Sequence, residues 1–371
     1  MSKYGHVTIL SSVPWDFMWQ RHHAIAATLA ASGRDVTFVE PHPRGIGHIS
    51  SWVVARLRRH GSKASESTVK HAVPAGVSVV SWTPKMHLVD FCSSHTRRRT
   101  ELASSGMVIA YLPSQTSRKH IERIRPETLV YDCVLDWQNA PAGFYPPAGF
   151  REFEQWITEL SKQSRAAIIS DSVTLAERFG SQGVHCEVVY PAVDPMFRFG
   201  APDSRISKTG GLRTLGYFGS VRYDEIDVEL INRLAATYTV VIVGSIDTKS
   251  SAVLSPSVEF KPPMDHTNLI TEIGSWDAII LPYRKTRRTS TLVPAKLWNT
   301  IATRLPVYLS NLNLPIEIGN EFKQIDELLN FTSVDAFARN GDKVRRDGLP
   351  DWEQRVKRIV SIASERGRYS D

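Results

Sequence analysis

Cysteine is scarce. Cys92, Cys133 and Cys186 are the only three in 371 residues, and no two stand at C-x-x-C spacing. That count argues against a disulfide framework or a structural zinc site, and a reducing cytoplasm fits it best. Long apolar runs are missing as well. The N-terminus offers one short stretch, Val7-Thr8-Ile9-Leu10, with no signal-peptide core. Nothing approaches the ~20 apolar residues that span a bilayer, so the chain reads as soluble or, at most, lying on the inner face of a membrane. Glycine is absent between Gly5 and Gly33. A dinucleotide-binding first turn needs G-x-G-x-x-G there, so NAD(P) binding at the first strand is disfavoured. Repeats of short period and low-complexity tracts are also missing.

What is present is an ordinary globular mixture, 42% hydrophobic and 22% charged. The length predicts two domains, each able to bury a core without staples. The net charge of +7 is uneven: Arg56 to Arg125 holds thirteen Lys/Arg against four Asp/Glu, a local +9 that leaves −2 for the rest. Such an excess asks for an anionic partner or serves as a solvated face. Ser51-Trp52-Val53-Val54-Ala55-Arg56-Leu57-Arg58-Arg59 mixes an aromatic, aliphatics and arginines, a pattern suited to anionic headgroups. Residues 52–125 are therefore an expected membrane-facing surface. No nucleic-acid-binding pattern accompanies them.

Short Val/Ile-rich runs alternate with helical patterns, the signature of βαβ units and parallel sheets. Strands are expected at His6–Ser11, Asp35–Glu40, Val77–Trp82, Met107–Leu112, Leu129–Val134 and Ala166–Ser170. Helices are expected over Gln20–Ala31, closed by Gly33, and over Phe150–Gln163. Ala192–Gly211, rich in Pro, Gly and Ser, reads as a linker. A second series follows: Thr214–Phe218, Thr239–Val243, Val258–Phe260, Ala278–Tyr283 and Pro306–Ser310, then an amphipathic helix over Trp352–Ser364. The expected fold is α/β, with two Rossmann-like domains whose parallel sheets face each other across a cleft. The expected boundaries are 1–195, 196–350 and a C-terminal helix over 351–371 that crosses back to the first domain.

In such sheets ligands bind outside the carboxyl ends of the strands, so the loops there are the places to look. After the first strand, Trp15, Asp16, Phe17, Trp19, Arg21 and His22 combine aromatic faces with polar groups, which suits sugar rings. The same aromatics could instead pack the loop on its own sheet. Asp132 lies inside a later strand and Asp136 at its end. The latter suits hydroxyl binding or base catalysis, or capping of a turn. No D-x-D pair suggests a divalent-metal site. In the second half, Phe218-Gly219-Ser220 follows a strand and lets backbone approach a ligand, Arg222 adds a phosphate donor, and Gly244 closes the next strand. The most specific stretch runs Leu281-Pro282-Tyr283, a basic loop with Thr289, Ser290 and Thr291, then Pro294-Ala295-Lys296-Leu297-Trp298-Asn299. A helix is expected from Pro294 to about Thr303, with an anion site at its start.

The ordered run Leu-Pro-Tyr, basic loop, Pro-Ala-Lys-Leu-Trp-Asn-Thr-Ile-Ala-Thr-Arg-Leu-Pro-Val over residues 281–307 resembles the donor-binding signature of retaining, family 4-like glycosyltransferases with the GT-B fold. Pro14-Trp15-Asp16-Phe17 with Gln20-Arg21-His22, followed by Val36-Thr37-Phe38-Val39-Glu40-Pro41, is similar to a bacterial subgroup that builds teichuronic-acid-like and other surface polysaccharides. Tyr131-Asp132-Cys133 and Val189-Tyr190-Pro191-Ala192-Val193-Asp194 fall in the order the family leads one to expect. The resemblance implies a UDP- or GDP-sugar donor in the C-terminal domain and a lipid-linked or polysaccharide acceptor in the N-terminal one, with no metal or other cofactor. It implies that Gly219, Ser220, Arg222 and Lys296 face the diphosphate, that Tyr283, Thr289, Ser290 and Thr291 lie beside sugar or phosphate, and that position 299 faces the ribose. Trp15, Asp16, Trp19, Arg21, His22, Asp132 and Asp136 fall in the acceptor domain. Asp16, His22 or Asp136 could serve as base if the reaction inverts. Asn299 stands where the family carries glutamate, and Arg304 where it carries glycine. Those departures keep open a second expectation, a GT-B-shaped binding or scaffold protein without catalysis.

Overall fold

The computed structural model describes residues 5–41, 71–81, 106–139, 147–199, 213–315, 318–319, 322–330, 348–366 and 369. Most of the basic segment, including Trp52–Arg59, and Cys92 lie outside them. The chain divides into two compact units, Met1–Tyr190 with Trp352–Asp371, and Pro191–Asp351.

The first unit is built on a seven-stranded sheet in the order β3-β2-β1-β4-β5-β6-β7, every pairing parallel. Its strands are β1 (His6–Leu10), β2 (Asp35–Val39), β3 (Val77–Val80), β4 (Met107–Ala110), β5 (Thr128–Cys133), β6 (Ala167–Ser170) and β7 (Cys186–Val188). Buried on both faces, the central strands read as continuous apolar runs. Val7, Ile9, Met107, Ile109 and Val130 are wholly removed from solvent. Helix α1 (Arg21–Ala31) opens with a reciprocal cap between Gln20 and His23 and ends before Gly33, whose φ of 81° makes it the left-handed closing residue. The last helix of the chain, over Trp352–Ser364, sends Val356, Ile359, Ile362 and Ala363 into this unit's core beside α1 and β5.

The second unit repeats the plan with six parallel strands in the order β10-β9-β8-β11-β12-β13. They are β8 (Thr214–Phe218), β9 (Thr239–Val243), β10 (Glu259–Lys261), β11 (Ala278–Pro282), β12 (Val307–Ser310) and β13 (Lys323–Gln324). In both sheets the strand order reverses beside the first strand of the unit, at β1/β4 and β8/β11, so crevices open at those carboxyl ends.

Two expectations change. The start of the expected linker is packed protein: Pro195–Phe199 is a short helix, and buried Phe197 stacks on Phe218 with ring centroids 5.7 Å apart. Its Pro-rich sequence hid one apolar anchor among turn residues. The helix expected from Pro294 begins at Lys296 and ends at Ala302, with Pro294 in a turn ahead of it whose carbonyl accepts from Leu297 N–H at 3.0 Å. The short helix carries Lys296 as its first residue.

Candidate functional site

In the first unit the polar residues at the carboxyl ends of β1, β4, β5 and β6 are turned toward one another. The Arg21 guanidinium pairs with Asp171, and Arg355 pairs with Asp132 at 2.8 Å. All four side chains are at most 9% exposed. A second nitrogen of Arg355 donates to the carbonyls of Val189 and Tyr190. Burial disfavours the charge on Arg21, but Asp171 and Asp132 more than offset that, so its pKa rises. Burial also raises the Asp171 carboxyl, against the pull of Arg21. The His22 ring meets Tyr111 edge-on at 4.0 Å, and its Nε2 lies 3.3 Å from the Ser12 hydroxyl. Burial, then His23, Arg21 and Arg355, hold His22 well below its ordinary pKa, so it is neutral near pH 7. The two arginines and two aspartates cancel. Arg21, His22 and Asp132 thus sit inside the unit, partnered by Asp171, Ser12 and Arg355. Among the described residues, His22 Nδ1 and Asp171 Oδ1 are buried with no hydrogen-bond partner.

The loop after β1 resolves similarly. Trp15 is 2% exposed, packed edge-on against Phe38 at 5.0 Å and His23 at 5.1 Å, with its backbone N–H on Glu40. For Trp15 the packing reading is the observed one. Trp19 is half-buried and stacks on His23 at 5.2 Å, and Asp16 is half-buried in the turn between them. Asp136 is buried, accepting from Asn139 at 2.6 Å and pairing with Arg178 at 3.4 Å.

The second unit is different at the matching place. Gly219 follows β8 with φ of 124°, and a Cβ added there would lie 2.4 Å from the Lys296 Nζ. Gly244 follows β9 with φ of 155°, and its Cβ would strike the Gly219 carbonyl at 1.9 Å. Only glycine fits either position. The turn is tied to its neighbour by Val221 N–H on the Ser245 carbonyl at 2.7 Å and by Ser245 Oγ donating to Ser220 Oγ at 2.9 Å. Over it lies Lys296, whose Nζ donates to the Phe218 carbonyl at 2.8 Å and to the Tyr217 hydroxyl at 3.0 Å. No carboxylate lies within ion-pair distance of that ammonium among the described residues. Burial pushes the Lys296 pKa down to about 7, partly opposed by Glu225. A lysine held this way has an unmet demand for negative charge.

The surrounding groups have partners already. Arg222 pairs with Asp224 at 3.2 Å and Glu225 at 3.6 Å, and Arg288 holds Glu225 at 2.6 Å. Pro282 and Tyr283 are buried. The hydroxyls of Thr289, Ser290 and Thr291 donate to the carbonyls of Arg284, Arg287 and Arg288, folding their own loop, and Thr289 is wholly buried. Asn299 Oδ1 accepts from the backbone N–H of Asp194 at 2.9 Å. The structure therefore gathers Phe218, Gly219, Ser220, Gly244 and Lys296 at one switch point. Tyr217 was missed from the sequence, since strand alternation marks it only as core. Asp171 and Arg355 were missed because their partners, Arg21 and Asp132, lie 150 and 223 positions away. No group of His, Cys, Asp or Glu among the described residues is arranged to hold a metal.

No protein-family model matches the chain, and no curated protein matches it. Solved structures do. TarM aligns over 98% of this chain and 99% of its own, with TM-score 0.60 at 8% identity. HepE of Anabaena, in complex with UDP-glucose, aligns over 96% and 99%, with TM-score 0.59 at 14% identity. A glycosyltransferase of Rickettsia africae aligns over 98% and 99%, with TM-score 0.55 at 9% identity. The chain has the two-domain GT-B fold. At these identities the likeness establishes architecture, and activity has to be argued from the site.

Proposed function

We propose that the protein is a glycosyltransferase that moves a sugar from a UDP- or GDP-sugar to a lipid-linked or polysaccharide acceptor, in cell-surface polysaccharide synthesis on the cytoplasmic face of the membrane. The observation that carries this reading is the Lys296 ammonium, held without a counterion over the Gly219–Ser220 turn at the β8/β11 switch point. A diphosphate answers that demand, and the crystallised neighbour that holds UDP-glucose supports the same class of ligand. Lys296, with Arg222 beyond the turn, neutralises charge that builds on the departing diphosphate as the anomeric C–O bond breaks, a form of electrostatic catalysis. The acceptor oxygen bonds to the anomeric carbon on the same face, and its proton passes to the leaving phosphate oxygen. Configuration is thereby retained, and no step requires a metal. Asp16 and Trp19, the less buried members of the β1 loop, are the groups of the first unit best placed to meet an acceptor.

Incubation with UDP-, GDP- and dTDP-sugars tests the activity. Release of a nucleoside diphosphate from at least one donor is expected. Thermal stabilisation without release from any donor would instead favour the scaffold reading, which Asn299's structural role keeps in view. No helix among the described residues is long and apolar enough to cross a membrane. Membrane contact is assigned to residues 52–125, where each basic group near an anionic surface contributes about 1 kcal/mol. Binding to anionic vesicles should weaken with salt, and salt-independent binding would count against it.

A further inference from the structure

Tyr217 is wholly inside the second unit, at 1% exposure, yet its hydroxyl sits at the junction of two elements that approach from different strands. It accepts from Lys296 Nζ at 3.0 Å and donates to the Ser220 carbonyl at 2.8 Å. The ammonium also lies 4.3 Å from the centre of the Tyr217 ring, a cation–π contact. One phenol thus joins the lysine from the helix after β11 to the glycine turn after β8. A buried tyrosine hydroxyl needs a partner, but an ordinary core tyrosine needs only one. Here both its hydrogen-bonding roles are used, and both on groups that frame the same space.

We infer that Tyr217 is a positioning residue for the diphosphate of the sugar-nucleotide donor, setting the Lys296 ammonium and the Gly219–Ser220 turn at a fixed separation before the ligand arrives. The inference rests on the reading of this site as a donor site and extends it to a residue that does not itself touch the ligand. An ammonium has three donors. The Phe218 carbonyl and the Tyr217 hydroxyl take two, and the geometry leaves the third for a phosphate oxygen. Without the phenol, the lysine keeps one acceptor and is free to swing, and the Ser220 carbonyl loses its donor. Preorganisation of this kind appears as ligand affinity, because ordering costs otherwise fall on binding.

The test uses the full chain with tyrosine replaced by phenylalanine, which keeps the ring in the core, and UDP as the probe in calorimetry between pH 6 and 9. Tyr217→Phe should weaken UDP about five- to tenfold while thermal unfolding shows the protein folded. It should also move the alkaline fall-off of UDP affinity to lower pH, because the phenol dipole that favours the charged lysine is gone. Glu225 acts on this lysine in both proteins, and Tyr283 and Arg288 stand beside Glu225. Glu225 alone carries negative charge among them, and burial keeps Tyr283 neutral across this range. A lost core hydrogen bond of purely structural meaning would lower stability and leave that pH limb unmoved. Lys296→Met supplies the decisive cycle: if Tyr217 acts through the lysine, adding Tyr217→Phe to Lys296→Met should weaken UDP no further. Equal, additive losses in both backgrounds would overturn the inference. So would an unchanged affinity and pH limb in Tyr217→Phe while Lys296→Met weakens UDP, and that result would leave the donor site standing. If Lys296→Met also leaves UDP affinity unchanged, the donor reading itself fails and the inference falls with it.

Discussion

The two units share one sheet plan and use charge in opposite ways at the same topological position. In the first, Arg21–Asp171 and Arg355–Asp132 pair opposite charges, with His22 neutral beside them. In the second, Lys296 faces a glycine turn with two neutral acceptors and no carboxylate within ion-pair distance. Balanced buried charge specifies structure, whereas a half-buried cation held by neutral dipoles is poised for an anionic ligand. The difference is between a cluster of paired opposite charges and a lysine whose charge nothing nearby pairs among the described residues, the group on which the proposed donor site rests.

The largest expected effect falls on the cluster of paired charges. Arg355→Met strands Asp132 in the core and releases the Val189 and Tyr190 carbonyls, so unfolding in urea should show a loss of about 3–5 kcal/mol. UDP affinity of the folded fraction should barely change. Acid is the next test of the first unit, through the two buried histidines that open α1. Burial, then His71, pushes the His23 pKa down to about 4, and His22 shifts in the same direction. The unfolded chain takes up those protons near pH 6.5 while the folded chain does not. Stability should therefore fall as pH drops from about 6.5 toward 4, by about 3 kcal/mol from His23 alone. His23→Gln should flatten the slope by one proton.

On the other side of the comparison, Gly244→Ala drives a Cβ into the Gly219 carbonyl and should cost about 2–3 kcal/mol, read by thermal unfolding, together with UDP binding. Lys296→Ala should be nearly neutral for stability, since it removes a poorly solvated charge. It should nevertheless weaken UDP roughly 10- to 100-fold, the worth of a charge-assisted hydrogen bond. If Lys296→Ala instead destabilised the fold as Arg355→Met does, the contrast between the units would collapse.

Much of the scaffold was legible because its core strands are unbroken apolar runs flanked by turns. Thr214–Phe218 and Thr239–Val243 are observed with the same bounds as read. Cys186–Val188 and Lys323–Gln324 were not read, since two or three residues carry no period. At the site, Gly219, Ser220, Gly244 and Lys296 were legible by type and by their place after strands. The partners were not. Nothing local says that Asp132 will meet Arg355, 223 positions away, or that the Tyr217 hydroxyl will meet Lys296, 79 away. Hydroxyls in a basic loop looked like ligand groups, yet Thr289 spends its own on the Arg284 carbonyl, a local competition that sequence cannot rank.

Calorimetry of UDP and GDP binding to the wild-type protein and to Lys296→Ala, at pH 6 and pH 8.5, tests the central claim most directly. In the proposed donor site binding needs the ammonium, whose pKa burial pushes down to about 7. At least one nucleotide should bind the wild type, more weakly at pH 8.5, with affinity reduced roughly 10- to 100-fold and the pH dependence lost in Lys296→Ala. Equal affinity for the two proteins at both pH values, or no binding by either nucleotide, would contradict the account.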